Sequence, residues 1–177
     1  MCWSRYFYWL TGLLFGVSVL LVGGYFGARS LMVVEIESPH DFQNTIELTN
    51  VEAKKLDWKV PKIYRLCDSL RKDGYDIRPV AVVELCKPEY AATLLSDDAT
   101  RLVSSFMPCR ISIYERDDGS VVISRMNTGL VSRLFRGRVA EVMALATEET
   151  QTLIDRVLGA RSGVAAKPET LPVPSHG

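Results

Sequence analysis

The longest apolar stretch comes first. Residues 6–26 carry no charged side chain, and a helix of that length spans roughly 30 Å of hydrocarbon. Trp3, Tyr6, Phe7, Tyr8 and Trp9 gather at its start, where amphipathic rings suit a headgroup boundary. A cleavable leader has an apolar region of about 7–15 residues ending in small residues. The exit through Tyr25, Phe26, Gly27, Ala28 and Arg29 lacks that ending. Residues 1–30 are therefore expected to form one transmembrane anchor in contact with the lipid bilayer through residues 6–26.

Beyond the anchor the period changes several times. Residues 31–37 read as a strand, and Ser38 followed by Pro39 and Asp41 reads as a helix start with Ser38 as the cap. Phe42, Ile46, Thr49, Ala53 and Leu56 then recur at helical spacing. Residues 58–66 suit a strand, a polar turn passes through Asp73 and Gly74, and residues 80–86 form a nearly continuous apolar run typical of an inner strand. Pro88 and Glu89 open a short helix that runs through Leu94 and Leu95. Asp118-Gly119 between the β-prone runs 109–116 and 121–126 signals a hairpin. From Thr128 the spacing is helical again, with a restart at Thr147, Glu148 and Glu149. Residues 159–177, with Pro168, Pro172 and Pro174, read as a flexible tail. The order β-α-β-β-α-β-β-α over residues 31–158 predicts an α+β fold, a two-layer α/β sandwich with a β-hairpin.

Composition narrows the partners. Across 177 residues, Lys+Arg 21 balances Asp+Glu 21, so no field of one sign recruits nucleic acid. Arg5 precedes the anchor, while Arg29 and then Glu35 and Glu37 follow it. This favours an inside amino terminus in the cell inner membrane, with the domain facing the periplasm or the cell exterior. There Cys67, Cys86 and Cys109 meet oxidising conditions, and their odd number leaves at least one without an intramolecular partner.

Several separated motifs share one pattern: Phe42-x-x-Thr45, Trp58-Lys59-Val60, Val83-Glu84-Leu85-Cys86-Lys87-Pro88, and the run from Met107-Pro108-Cys109-Arg110 to Tyr114. With Asp118-Gly119 and Ser124-Arg125-Met126-Asn127 they resemble the family of domains of unknown function 302, over roughly residues 42–157. The resemblance implies a small α/β domain that self-associates, here as a homodimer in a membrane-anchored version. It supplies no established catalytic residue. Cys67 lies outside its usual pattern.

Two sets of side chains carry candidate chemistry. Cys86 precedes a helix N-terminus and Cys109 adjoins Arg110, so both have positive charge nearby to favour a thiolate. Together they can serve as a redox pair or soft-metal ligands. Against this stands the readiness of free cysteine to be buried as a small hydrophobe. The second set lies on the hairpin. If Asp118-Gly119 centres a two-residue turn, Arg110 pairs with Asn127, Ser112 with Arg125, and Tyr114 with Ile123, all on one face. Arg110, Ser112, Tyr114, Arg125 and Asn127 then form a site for a small anionic ligand. A three-residue turn shifts the register and dissolves the cluster. The plainer reading is a solvated outer face.

His40 and His176 are the only histidines, so neither a catalytic triad nor a zinc site is expected. Glu148-Glu149 suits a helix start and Asp117-Asp118 a turn, leaving no call for acid–base catalysis and no cofactor. The expectation is a membrane-tethered, non-catalytic ligand-binding or accessory module. The alternatives are a thiol redox or metal-handling protein using Cys86 and Cys109, or a structural self-associating membrane subunit.

Overall fold

Among the described residues, five strands form one antiparallel sheet, and the period-2 alternation of their side chains decides which face is covered. The computed structural model describes residues 3–107 and 109–159, except for the side chains of residues 3–8, 10, 25, 26 and 28–30. Pro108 and all of the expected tail beyond Gly159 lie outside these residues, as do most side chains of the expected aromatic belt. The elements are α1 (Trp3–Met32), β1 (Val33–Ser38), α2 (Phe42–Lys55), β2 (Ile63–Arg65), α3 (Leu66–Lys72), β3 (Val80–Leu85), α4 (Pro88–Leu95), α5 (Asp98–Arg101), a 3-10 turn (Leu102–Phe106), β4 (Cys109–Glu115), β5 (Val121–Met126), α6 (Thr128–Ser132) and α7 (Arg138–Val157). Among the described residues, no helix is long and apolar enough to cross a membrane.

The sheet order is β1-β5-β4-β3-β2: a meander from β2 to β5, with β1 added beside β5. Ala81, Val83, Leu85, Ile111, Ile113 and Ile123 share one face, each at most 1% exposed. They share a core with Ile46 and Ala53 of α2 and with Leu153, Ile154 and Val157 of α7. Full burial of an aliphatic side chain of this size is worth about 1.5–3 kcal/mol, so these two helices hold the sheet from one side. The opposite face carries Tyr64, Val82, Glu84, Arg110, Ser112, Tyr114 and Ser124. The expected α+β arrangement is present.

Local differences have local causes. Ser38 ends β1 rather than capping α2; the cap is Asp41, whose carboxylate accepts from the Asn44 N–H. Only Ile63–Arg65 of the expected strand 58–66 joins the sheet, with Lys59 making an isolated bridge to Cys86. Pro61 lies between them and has no N–H to donate. The last helix breaks at residues 133–137, where Gly137 adopts φ +59°, and it does not restart at Thr147. There the threonine hydroxyl donates to the Met143 carbonyl within an unbroken α7.

Candidate functional site: a cavity at the open end of the sheet

The hairpin loop settles where the five expected ligand residues point. The Arg116 N–H donates to the Ser120 carbonyl, leaving Asp117, Asp118 and Gly119 as a three-residue loop with Gly119 at φ +84°. A three-residue loop closed by a left-handed residue is a common hairpin form, and here it moves every pair by one position. Ser112 therefore faces Ser124, Tyr114 faces Val122, and Arg125 faces Ile111. Arg110, Ser112 and Tyr114 stay on the open face, while Arg125 turns to the helix-covered face. Asn127 leaves the sheet altogether. Its Oδ1 caps α6 and its Nδ2 donates to the Leu31 carbonyl at 2.9 Å. The five side chains do not share a face.

On the open face, Arg110 Nη2 reaches Glu84 Oε1 at 3.4 Å, and the Tyr64 hydroxyl donates to the same oxygen at 3.0 Å. Burial and a hydrogen bond with Glu35 push the Tyr114 phenol above its ordinary pKa. These contacts serve one another. Arg110, turned to this face, does not stabilise a Cys109 thiolate. Cys109 lies opposite Leu85 on the covered face, and burial, then the neighbouring Cys86, push its thiol pKa up. Burial there works against the thiolate expected at Cys109.

Cys86 and Cys109 nevertheless border the same space. Cys86 is one residue beyond Leu85, the partner of Cys109 in the ladder, and both thiols are free. They line one cavity of about 80 Å³ between α4, the 3-10 turn, α7 and the end of the sheet. Its walls are mostly apolar, with Leu85, Leu94, Val103, Phe106, Met143 and Ala146 among them. Among the described residues, no group of three or more His, Cys, Asp or Glu is placed to hold a metal ion.

One end of the cavity is closed by polar side chains whose role sequence reading missed. Glu149, in the fourth turn of α7, receives Lys87 Nζ at 2.6 Å on both carboxylate oxygens, Trp58 Nε1 at 2.7 Å and the Tyr90 hydroxyl at 2.8 Å. Lys87 and Glu149 are only 13% and 12% exposed. The Trp58 and Tyr90 rings meet edge to face, 6.1 Å between centroids. Burial, then the Glu149 carboxylate, drive the Tyr90 phenol pKa up. This knot ties the loop after α2, the start of α4 and the middle of α7 into one wall. The sequence signal was the aromatic and lysine content of Trp58-Lys59-Val60 and Cys86-Lys87-Pro88, but no spacing rule linked either to Glu149.

The other end opens into a cleft made by the strands themselves. Cys109 and Arg110 keep their pairing with Leu85 and Glu84 of β3, and Met126 keeps its pairing with Val33 of β1. The last pair between β4 and β5 is Ile111 with Arg125. Beyond it the strands fork, and a cleft of about 230 Å³ lies in the fork, with Arg110, Arg125, Ser105, Thr128 and Thr150 on its walls. Phe106, Met107, Cys109 and Met126 line both cavity and cleft. Arg125 Nη2 donates to Gln151 Oε1 at 2.6 Å and Nη1 to the Met126 carbonyl at 3.3 Å. Its buried Nε has no partner. Burial depresses the guanidinium pKa, against the field of Asp155. Arg125 and Arg110 thus do border one space, though not the hairpin face first expected.

The model of the family described as domain of unknown function DUF302 matches residues 34–160. No curated protein matches the chain. Among solved structures, the chain is similar to an uncharacterized conserved protein DUF302 from Bacillus stearothermophilus, at 23% identity and a TM-score of 0.64, covering 72% of this chain and 99% of that one. That likeness bears on the fold. The family match spans the whole sheet and the helices packed on it, and the chain belongs to the DUF302 family.

Proposed function

We propose that the protein is a membrane-tethered, non-catalytic module that binds a small ligand in the cavity at the open end of its sheet. The observation that carries this reading is an apolar cavity that shares wall residues with a cleft bordered by two arginines, an arrangement that takes the body of a ligand in one part and its polar group in the other. The non-catalytic part rests on the knot at the closed end. Lys87, Tyr90 and Trp58 all donate to Glu149, so the groups best suited to acid–base work are committed to one another.

The tether is supported by α1. Every side chain from residue 11 to residue 24 is exposed, including Leu14 at 61%, Phe15 at 73% and Leu20 at 75%. A continuous apolar surface of this kind calls for a nonaqueous neighbour. Asn127 fastens the end of α1 to the domain, its N–H donating to the Met32 carbonyl at 2.8 Å. With the amino terminus inside, the domain stands on the periplasmic face of the cell membrane. A second reading, thiol redox chemistry, is favoured by the two free thiols that share the cavity.

The test uses the full chain in lipid nanodiscs, with methionine methyl groups as NMR reporters at Met107, Met126 and Met143. Hexanol is expected to shift these signals saturably, and Ala146→Phe, which fills the cavity, is expected to abolish the shift. Unchanged binding in that variant overturns the cavity reading. Turnover of a disulfide substrate that is lost in Cys86→Ser replaces the non-catalytic reading with the redox one.

A further inference from the structure

We infer that the ligand is a short amphiphile ending in an oxyanion, its chain in the sulfur- and aliphatic-lined cavity and its carboxylate-like head against Arg125 in the fork between β4 and β5. This rests on the cavity reading above and names the chemical class that the site takes. Three observations converge on it. The first is the charge state of Arg125. A guanidinium has five N–H donors, yet the hydrogen-bond acceptors Arg125 meets are the neutral Gln151 amide oxygen and a backbone carbonyl, with Nε unpartnered. Asp155 is reached only through Gln151, whose Nε2 donates to Asp155 Oδ1 at 2.9 Å. A half-buried cation served by neutral acceptors has much to gain from an anion.

The second observation is what surrounds that cation. Arg110 stands on the rim of the same cleft, held by a single long 3.4 Å contact to Glu84, and Ser105, Thr128 and Thr150 also line it. Among the described residues, no acidic side chain lines the cleft. The third is continuity and size. Phe106, Met107, Cys109 and Met126 border both spaces, so a molecule seated on Arg125 can pass its chain directly into the apolar cavity. About 10–15 Å³ admits one water-sized group, and the cavity of about 80 Å³ therefore takes a chain of about five to eight heavy atoms. The cleft also adjoins the point where α1 enters the domain, because Met126 pairs with Val33, the first residue after α1.

The experiment compares hexanoate, hexyl phosphate, hexanol and hexylamine on the same nanodisc-embedded chain, reading the methyl shifts of Met107, Met126 and Met143. Hexanoate is expected to bind at least tenfold more tightly than hexanol, and hexylamine more weakly than either. The order of hexanoate and hexyl phosphate separates a carboxylate head from a phosphate head. Arg125→Gln is expected to bring hexanoate to within twofold of hexanol, with hexanol binding retained as proof that the variant is folded. Arg125→Lys, which keeps the charge without the planar fork, is expected to fall between. Equal affinities for hexanoate and hexanol in the unaltered protein overturn the head-group assignment and leave the cavity reading standing. No saturable shift with any of the four overturns both.

Discussion

Glu149 accepts hydrogen bonds from three side chains that lie 59 to 91 residues away in the chain. Its removal therefore acts on three elements together. Glu149→Gln keeps the shape but leaves the Lys87 ammonium, 13% exposed, beside a neutral amide. Breaking a buried ion pair from one side costs about 3–5 kcal/mol, while replacing both partners with apolar groups of similar size is far milder. Denaturant unfolding should show Glu149→Gln destabilised by about 3 kcal/mol, and Lys87→Met with Glu149→Leu destabilised by less. A double variant at least as unstable as the single one would mean that the knot is held by the two aromatic donors rather than by charge. None of this was legible in the sequence. An acidic pair in a helical run fits a helix start as well as a buried acceptor, and only tertiary packing brings Trp58, Lys87 and Tyr90 to it. The cysteines were only half legible: their residue types marked them as candidates, but whether Cys86 and Cys109 approach each other was open in the sequence, because only the β3–β4 pairing sets Cys109 opposite Leu85, and the burial that raises the Cys109 thiol pKa is likewise tertiary.

At the scale of elements, hydrophobic period did most of the work. The stripe Phe42, Ile46, Thr49, Ala53 and the apolar run 80–86 became α2 and β3 because each pattern matches one backbone period and one buried face. What period does not encode is the number of residues in a turn. Asp118-Gly119 suits a two-residue turn, but Asp118 accepts from the Ser120 N–H at 2.9 Å and Gly119 takes the left-handed position of a three-residue loop. That single residue moves Arg125 from the open face to the covered one, so a local choice of turn decides the composition of the candidate site. Gly119 is open on all sides, with nothing within 4 Å of an added Cβ. Gly119→Ala thus isolates backbone strain and should lower stability by about 1 kcal/mol. Gly129, in α6, has room for a Cβ at ordinary contact distances of 3.5 Å from Asn127 and Thr147, and Gly129→Ala should be neutral or stabilising. Thermal unfolding of the two variants checks the contrast, and equal effects would argue against the three-residue loop.

For the whole molecule, the apolar helix, the fork in the sheet and a basic turn all gather at one end. Asn127 holds the Leu31 carbonyl and caps α6, and the turn after α6 exposes Arg133, Arg136 and Arg138 around Leu134, itself 82% exposed. If α1 is embedded in lipid as proposed, this turn lies within a short distance of the headgroups, where each arginine gains about 1 kcal/mol against an anionic surface within a Debye length of roughly 10 Å. Trypsin cleaves after exposed arginine, so the contact can be read as protection. In vesicles containing anionic lipid, cleavage at Arg133 and Arg136 should be slower than in vesicles of neutral lipid alone. Arg71, 59% exposed on α3, serves as the internal reference and should be cut equally in both. High salt should restore cleavage at Arg133 and Arg136, because screening removes the attraction but leaves α1 inserted. Equal cleavage rates at these two sites in both kinds of vesicle would show that the turn stands clear of the bilayer, leaving the tether to α1 alone.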